Sequence, residues 1–351
     1  MTFYTKILPS NTLCTQNQSY LWFSGTGYLG MAHHPIFKQH FVEAIEQLGT
    51  SWGSSRNNTV RLEVYDIAEQ ALASFFDAPA SLTVASGMWA GQLAQKFWQL
   101  QGYSFEYAPK THPALWTDNS YIPTIKYAEW AERISEKIRH HASSKIVICS
   151  DSVGSPYVEA YSFDWIQQLP PNKEIVVIID ASHSLGIQNL NDLLASSPIF
   201  ETNSNVNILI TSSLNKAMGM TGGIILGNVS ILQQIKSTPM FSGASPMMPA
   251  LLKAFTQSTG IYKLQKQILL QRIELFNQLL ETDYLDSIRA YPAYCTHREG
   301  LHEYLLENGI MTSCFPYPTV HDQPVSRLVI SALHHEDDIR LLAKHCNEFS
   351  S

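Results

Sequence analysis

Six short apolar runs punctuate the first two thirds of the chain: "SLTVAS" (81–86), "YSFEYA" (103–108), "KIVICSD" (145–151), "EIVVIID" (174–180), "NVNILITS" (205–212) and "GGIILG" (222–227). Their lengths and β-branched content predict strands. Several are apolar at successive rather than alternate positions, which predicts strands buried on both faces. Between them, 88–101 and 127–141 repeat apolar residues at helical spacing. Strands alternating with helices predict an α/β domain around a mainly parallel sheet.

Beyond about residue 230 the pattern changes. A long amphipathic stretch, "PALLKAFTQSTGIYKLQKQILLQRIELFNQLLE", is followed by short strand-like pieces and a closing helix, "HHEDDIRLLAKHCNEF". The expected division is therefore an N-terminal segment 1–45 packing with a small domain, a large α/β domain over 46–235, and a small α+β domain over 236–351. No internal repeat or low-complexity linker interrupts it.

Composition narrows the function classes. With 45% apolar and 11% aromatic residues in 351 positions, two sizeable cores are within reach and disorder is excluded. A formal charge of −7 with no basic run argues against a nucleic-acid partner. Cys14, Cys149, Cys295, Cys314 and Cys346 are scattered without a CxxC pair, as expected of free thiols in a reducing compartment. The histidine doublets at 33–34, 140–141 and 334–335 hold residues that point apart on a helix or strand, so no metal is expected. No n-region precedes an apolar h-region, and no apolar run approaches the ~20 residues of a membrane span. A cytoplasmic protein without a membrane partner is expected.

Candidate chemistry sits at the strand ends, because ligands of open α/β sheets bind beyond the carboxyl ends of strands. "EIVVIID" ends in Asp180 and continues into His183; "KIVICSD" ends in Asp151; "NVNILI" runs into "TSSLNK"; "SLTVAS" runs into "GMWAGQLA". A carboxylate closing a buried strand needs a cation or a donor. Asp180 either caps the turn through "SHS" or meets a protonated ring nitrogen of a cofactor. Lys216 alone reads as a solvated lysine. Its neighbours Ser212, Ser213, Gly219, Gly222 and Gly223 instead suit a lysine that forms a Schiff base in a close-packed turn. A glycine turn entering a helix at Gly87 and Met88 offers free N–H groups to a phosphate. His112 is by itself an ordinary loop histidine. Asp, Lys and phosphate turn together match the needs of pyridoxal 5′-phosphate.

These residues resemble the α-oxoamine synthase family of the fold-type I pyridoxal-phosphate enzymes. "GYLGMAHHPIFKQHFVEAIEQLGTSWGSSR" is similar to the family's "NYLGL…HP…GTGSGGSR", "DASHSLG" to "DEAHxxG", and "SLNKAMGMTGG" to "TLGKALGxxGG". "FPYPTVHDQPVSRLVISALHHEDDIRLL" is similar to "PTVPxGxARLRxxxSAxHxxxDIDxL". The likeness runs from about residue 20 to the end. It implies a fold-type I transferase with a mostly parallel seven-stranded sheet in the large domain and a smaller α+β domain.

By position, the resemblance implies that Lys216 binds the cofactor covalently, Asp180 pairs with its ring nitrogen, His183 donates to the ring oxygen O3′ and His112 stacks on the ring. Gly87, Met88 and Ser213 match the phosphate site, Ser155 the serine of "DGVFSMDG", Arg327 the substrate-carboxylate arginine and Thr319 the threonine of "PTV". "FSGASP", with Ser242, resembles the segment supplied by a neighbouring subunit, which implies a homodimer with shared active sites. The implied reaction condenses an amino acid with an acyl-CoA. Transamination, aldol cleavage or decarboxylation on the same scaffold is the alternative. Gly27 stands where the family has an asparagine, and Pro113 follows His112 where it has alanine.

Overall fold

All six apolar runs form strands of one sheet: β1 (Ala80–Val84), β2 (Ser104–Tyr107), β3 (Lys145–Asp151), β4 (Glu174–Asp180), β5 (Val206–Ser213) and β6 (Gly223–Gly227). Their spatial order is β1-β6-β5-β4-β3-β2. The structure, a computed structural model, describes residues 3–15, 18–118, 120–195, 197–316 and 323–349. Pairings β5–β4, β4–β3 and β3–β2 are parallel, whereas β6 is antiparallel to both neighbours. Connection length explains β6: it follows β5 after residues 214–222, too few for the crossover of about a dozen residues that parallel strands require.

The expected seventh strand is absent among the described residues, so the central sheet has six. Between β2 and the next long helix the chain passes a 3-10 turn at Pro113–Leu115 and then an irregular stretch with Asp118, Ser120 and Pro123. Those residues are poor strand formers, and proline removes a ladder donor.

The strands are as buried as their composition requires. Every residue from Ile175 to Ile179 is 0% exposed. Helix α1 (Gly87–Gln99) lies on one sheet face, placing Ala90, Leu93 and Trp98 against Val176, Ile178 and Leu209. At about 1.5–3 kcal/mol for each fully buried aliphatic side chain, this layer is the main force holding the strand ends in place. Helix α2 (Tyr127–His140) occupies the second helical pattern, and α3 (Pro249–Leu279) is the long amphipathic stretch, 31 residues in one helix.

The chain forms two compact units. One comprises Pro35–Val153 and Ala160–Thr259 and contains the sheet; the other comprises Met1–His34, Gly154–Glu159 and Gly260–Ser351. Residues 35–45 and 236–259 thus belong to the sheet unit. In the other unit, four strands pair in the order Asp286–Ser287, Ala293–Thr296, Pro324–Val329 and Ser313–Pro316, and the helix Glu336–Glu348 closes the described chain. No helix among the described residues is long and apolar enough to cross a membrane.

His334 is part of that second core. It is 2% exposed and stacks on Phe23 at 4.0 Å. Its Nε2 donates to the Trp22 carbonyl at 3.0 Å, and Nδ1 accepts the Ser331 N–H at 2.9 Å, which fixes one neutral tautomer. Burial pushes the imidazole from its ordinary 6.5 down to about 4. A basic group with a depressed folded-state pKa stabilises the fold above 6.5 and loses that contribution as pH falls towards 4. At ~1.4 kcal/mol per pH unit the loss is about 3 kcal/mol. Urea midpoints measured between pH 7 and 4 are expected to fall more steeply for the wild type than for His334→Gln; equal slopes would refute the assignment.

Candidate active site

Asp151, Asp180 and Thr211 are register partners at the carboxyl ends of three neighbouring strands. Register partners project from the same sheet face, and residues two positions earlier share it. Cys149, Ile178 and Leu209 lie in the core beneath α1, so the polar row stands directly above that core, on the side where α1 begins. A strand that is apolar inside the sheet and polar at its last residue thereby becomes a rigid post carrying one functional group.

Asp180 makes the turn cap that its sequence allows. Its Oδ1 accepts the Ser182 N–H at 2.8 Å, closing the turn that follows β4. Its Oδ2 lies 4.0 Å from His112 Nδ1. Asp180 is 6% exposed, and its cap supplies one donor to Oδ1. His112 Nδ1 accepts the Ala114 N–H at 3.1 Å and therefore carries no proton. Burial lowers the His112 pKa, with Lys216 acting in the same direction and Asp180 against them. A neutral ring facing Asp180 makes the 4.0 Å approach a contact rather than an ion pair.

The phosphate turn is built by close packing. Ser86 caps α1 by accepting the Trp89 N–H at 3.1 Å, which makes Gly87 and Met88 the first helical residues. N–H groups of that first turn have no carbonyl within the helix to bond and point outward at its positive end. A Cβ on Gly87 would lie 2.5 Å from Ser213 Cβ, and one on Gly223 would lie 2.1 Å from the Ser86 carbonyl oxygen. Glycine at both positions lets the turn sit on the ends of β5 and β6. Ser182 Oγ accepts the Ser213 N–H at 2.9 Å, joining this corner to the turn after Asp180.

Lys216 occupies a tight loop and not a solvated one. Leu214 N–H donates to the Gly222 carbonyl at 3.0 Å, Met220 N–H to Leu214 at 2.9 Å, and Gly219 N–H to Lys216 at 3.1 Å. Leu214, Ala217, Met218 and Met220 are all buried. Apolar anchors on both sides hold the lysine backbone, so little conformational entropy is left to lose when the amine engages a ligand.

Ser242 is held from a third direction. Its Oγ accepts from Asn57 Nδ2 at 2.7 Å, and its carbonyl accepts from Ser55 Oγ at 2.7 Å. The Ser55–Asn57 loop is pinned in turn by Arg56, whose guanidinium binds Glu69 at 2.5 and 2.9 Å and lies 4.3 Å over the Tyr65 ring. His183 lies in the turn after β4. The sheet unit thus carries Lys216, Asp180, His183, His112, Gly87, Met88, Ser213 and Ser242.

Ser155 and Arg327 belong to the other unit. Arg327, 6% exposed on the strand Pro324–Val329, donates from Nη2 to the Tyr28 hydroxyl at 3.1 Å, while its Nε has no partner among the described residues. Thr319 lies outside the described residues. Sequence reasoning assigned no role to Thr211, whose buried Oγ1 has no partner among the described residues, or to the Asn57 clamp. Thr211 is visible in the sequence only as one polar residue after "NILI"; its place beside Asp180 depends on strand register.

Comparison with known proteins adds an independent line. Residues 19–345 match the model of the family described as aminotransferase class I and II. A putative 8-amino-7-oxononanoate synthase of Rippkaea orientalis is 23% identical over 363 residues, covering 97% of this chain and 92% of the relative. The 8-amino-7-oxononanoate synthase of Thermoanaerobacter pseudethanolicus is 23% identical over 336 residues, covering 90% and 84%. Serine palmitoyltransferase of Sphingomonas wittichii superposes with a TM-score of 0.81 at 13% identity, covering 99% of this chain and 91% of that one. The 8-amino-7-oxononanoate synthase of Francisella tularensis superposes at 0.70 and 20%, covering 94% and 97%. At such identities the superpositions speak for the fold.

Proposed function

The chain belongs to the aminotransferase class I and II family, and on that premise we propose that it is a pyridoxal-phosphate-dependent acyltransferase that condenses an amino acid with an acyl-CoA thioester. The observation that carries the reading is the placement of Asp180 and the Gly87 turn on one end of one sheet face. The relatives named 8-amino-7-oxononanoate synthase support the acyl-transfer class.

The residues present fit the cofactor. Two glycines leave room that a Cβ would fill, Asp180 keeps Oδ2 outside its turn cap, and the buried Thr211 hydroxyl beside it has no partner among the described residues. Pyridoxal 5′-phosphate, when bound, supplies an electron sink for the substrate α-carbon. In our reading the Gly87 and Met88 N–H groups and the Ser213 hydroxyl bind the phosphate at the helix N-terminus. Asp180 Oδ2 would favour a protonated ring nitrogen, His183 would donate to the ring oxygen, and neutral His112 would stack on the ring. Lys216 Nζ would hold the cofactor and supply the amine that moves the substrate α-proton. Arg327, through its planar fork, and Thr319 are the substrate-binding residues of this reading, and Ser155 and Ser242 are cofactor contacts. Ser242 lies on a segment offered to the partner of a cytoplasmic homodimer.

Incubating the purified protein and pyridoxal 5′-phosphate with a panel of amino acids and acyl-CoAs is expected to release free CoA for at least one pair. No release across the panel would reject acyl transfer. The description of the family favours transamination as the second reading, which formation of a 2-oxo acid without an acyl donor would select.

A further inference from the structure

Asp151 closes β3 as Asp180 closes β4, yet the reaction just outlined gives it no task. Its Oδ1 accepts the backbone N–H of His112 at 3.0 Å. One residue earlier, the Thr111 hydroxyl donates to the Ala108 carbonyl at 2.7 Å and lies 3.3 Å from that of Cys149. The Ala108 N–H also donates to the Cys149 carbonyl at 2.8 Å. The segment 108–112 is thus fastened to the end of β3 by its main chain and by one carboxyl group. The far side of the same segment carries the His112 ring, 4.0 Å from Asp180.

We propose that Asp151 is a positioning residue: its carboxyl group fixes the His112 main chain and so sets where the His112 ring stands relative to Asp180. The side chains of Asp151 and Asp180 occupy adjacent places in the row, where two anions would repel each other at short range. Burial pushes the Asp151 carboxyl well above the usual carboxylate range, and the Asp180 charge adds to this. The His112 N–H and the Lys216 ammonium pull the other way. Cys149, two residues earlier on this strand, is raised by burial and stays a neutral thiol. These influences favour the protonated carboxyl at Asp151, whose Oδ1 accepts the His112 N–H. An asparagine presents the same acceptor at the same distance from the backbone; alanine presents none.

The inference rests on the proposed cofactor reading only for its optical readout. Full-length wild type, Asp151→Asn and Asp151→Ala would be compared with pyridoxal 5′-phosphate present. The His112 ring carbon–proton resonance, assigned with His112→Gln, reports ring position, and absorbance titration reports cofactor affinity. Asp151→Ala is expected to displace the His112 resonance and weaken cofactor binding about tenfold, the scale of losing one hydrogen bond to a positioned main chain. Asp151→Asn, the conservative variant, is expected to restore both. An unmoved His112 resonance in Asp151→Ala would overturn the proposal, and so would Asp151→Asn behaving like Asp151→Ala. Should Asp151→Ala not fold, Asp151→Glu, which displaces the acceptor by one methylene, takes its place with the same expected shift. If wild type takes up no cofactor, the cofactor reading fails while the resonance comparison still decides the role of Asp151.

Discussion

Lys216→Ala is expected to lose the near-visible absorption band that pyridoxal 5′-phosphate gives the wild-type protein, together with turnover. A positioned acid–base group alone contributes about 10²–10⁴-fold, and this lysine is also the covalent anchor in the proposed reaction, so kcat should fall by at least about 10³-fold. Folding should be nearly untouched. The loop is held by the Leu214, Met220 and Gly219 backbone bonds and by buried Leu214, Ala217, Met218 and Met220, none of which requires the ammonium group. An absorbance spectrum and a thermal melt on one sample separate the two effects. A variant that keeps the band unchanged would remove Lys216 from the site.

Asp180→Asn tests charge without disturbing geometry. Asparagine Oδ1 can still accept the Ser182 N–H now held at 2.8 Å, so the turn after β4 should survive and the melting temperature should move by only a few degrees. What disappears is the carboxylate that the proposed reading sets opposite the cofactor's ring nitrogen. An opposite charge shifts a neighbouring titration by about 1–3 pH units, and removing one preorganised electrostatic partner costs about 10²–10³-fold in turnover. We therefore expect kcat/KM to drop by about 10²–10³-fold while the cofactor remains attached to Lys216. A loss smaller than tenfold would reduce Asp180 to a turn cap.

The two variants separate the functions that the sequence left fused. Lys216 looked like a surface residue because lysine usually is one; the apolar residues around it are what hold its backbone. Asp180 presented a choice between cap and ligand partner; the fold makes the cap with Oδ1 and turns Oδ2 towards His112, and the ligand role rests on the proposed reading. Asp151 was visible as a strand end, but its bond to the His112 N–H joins residues 39 apart in the chain, and no local pattern encodes such a contact. Ser242 likewise depends on Asn57, 185 residues away.

The six strands, the helices at 87–99, 127–140, 249–279 and 336–348, and the family motifs were all legible by themselves. The reason is local: burial on both faces demands runs of branched apolar residues, helices demand a 3.6-residue repeat, and close backbone approach demands glycine. Tertiary structure alone decided the six-strand count and the alignment of Asp151, Asp180 and Thr211 into one row. Register comes from hydrogen bonding between strands distant in sequence and from packing beneath a shared helix. The chain therefore specifies which residues end its strands, while the ladder determines which of those ends stand side by side.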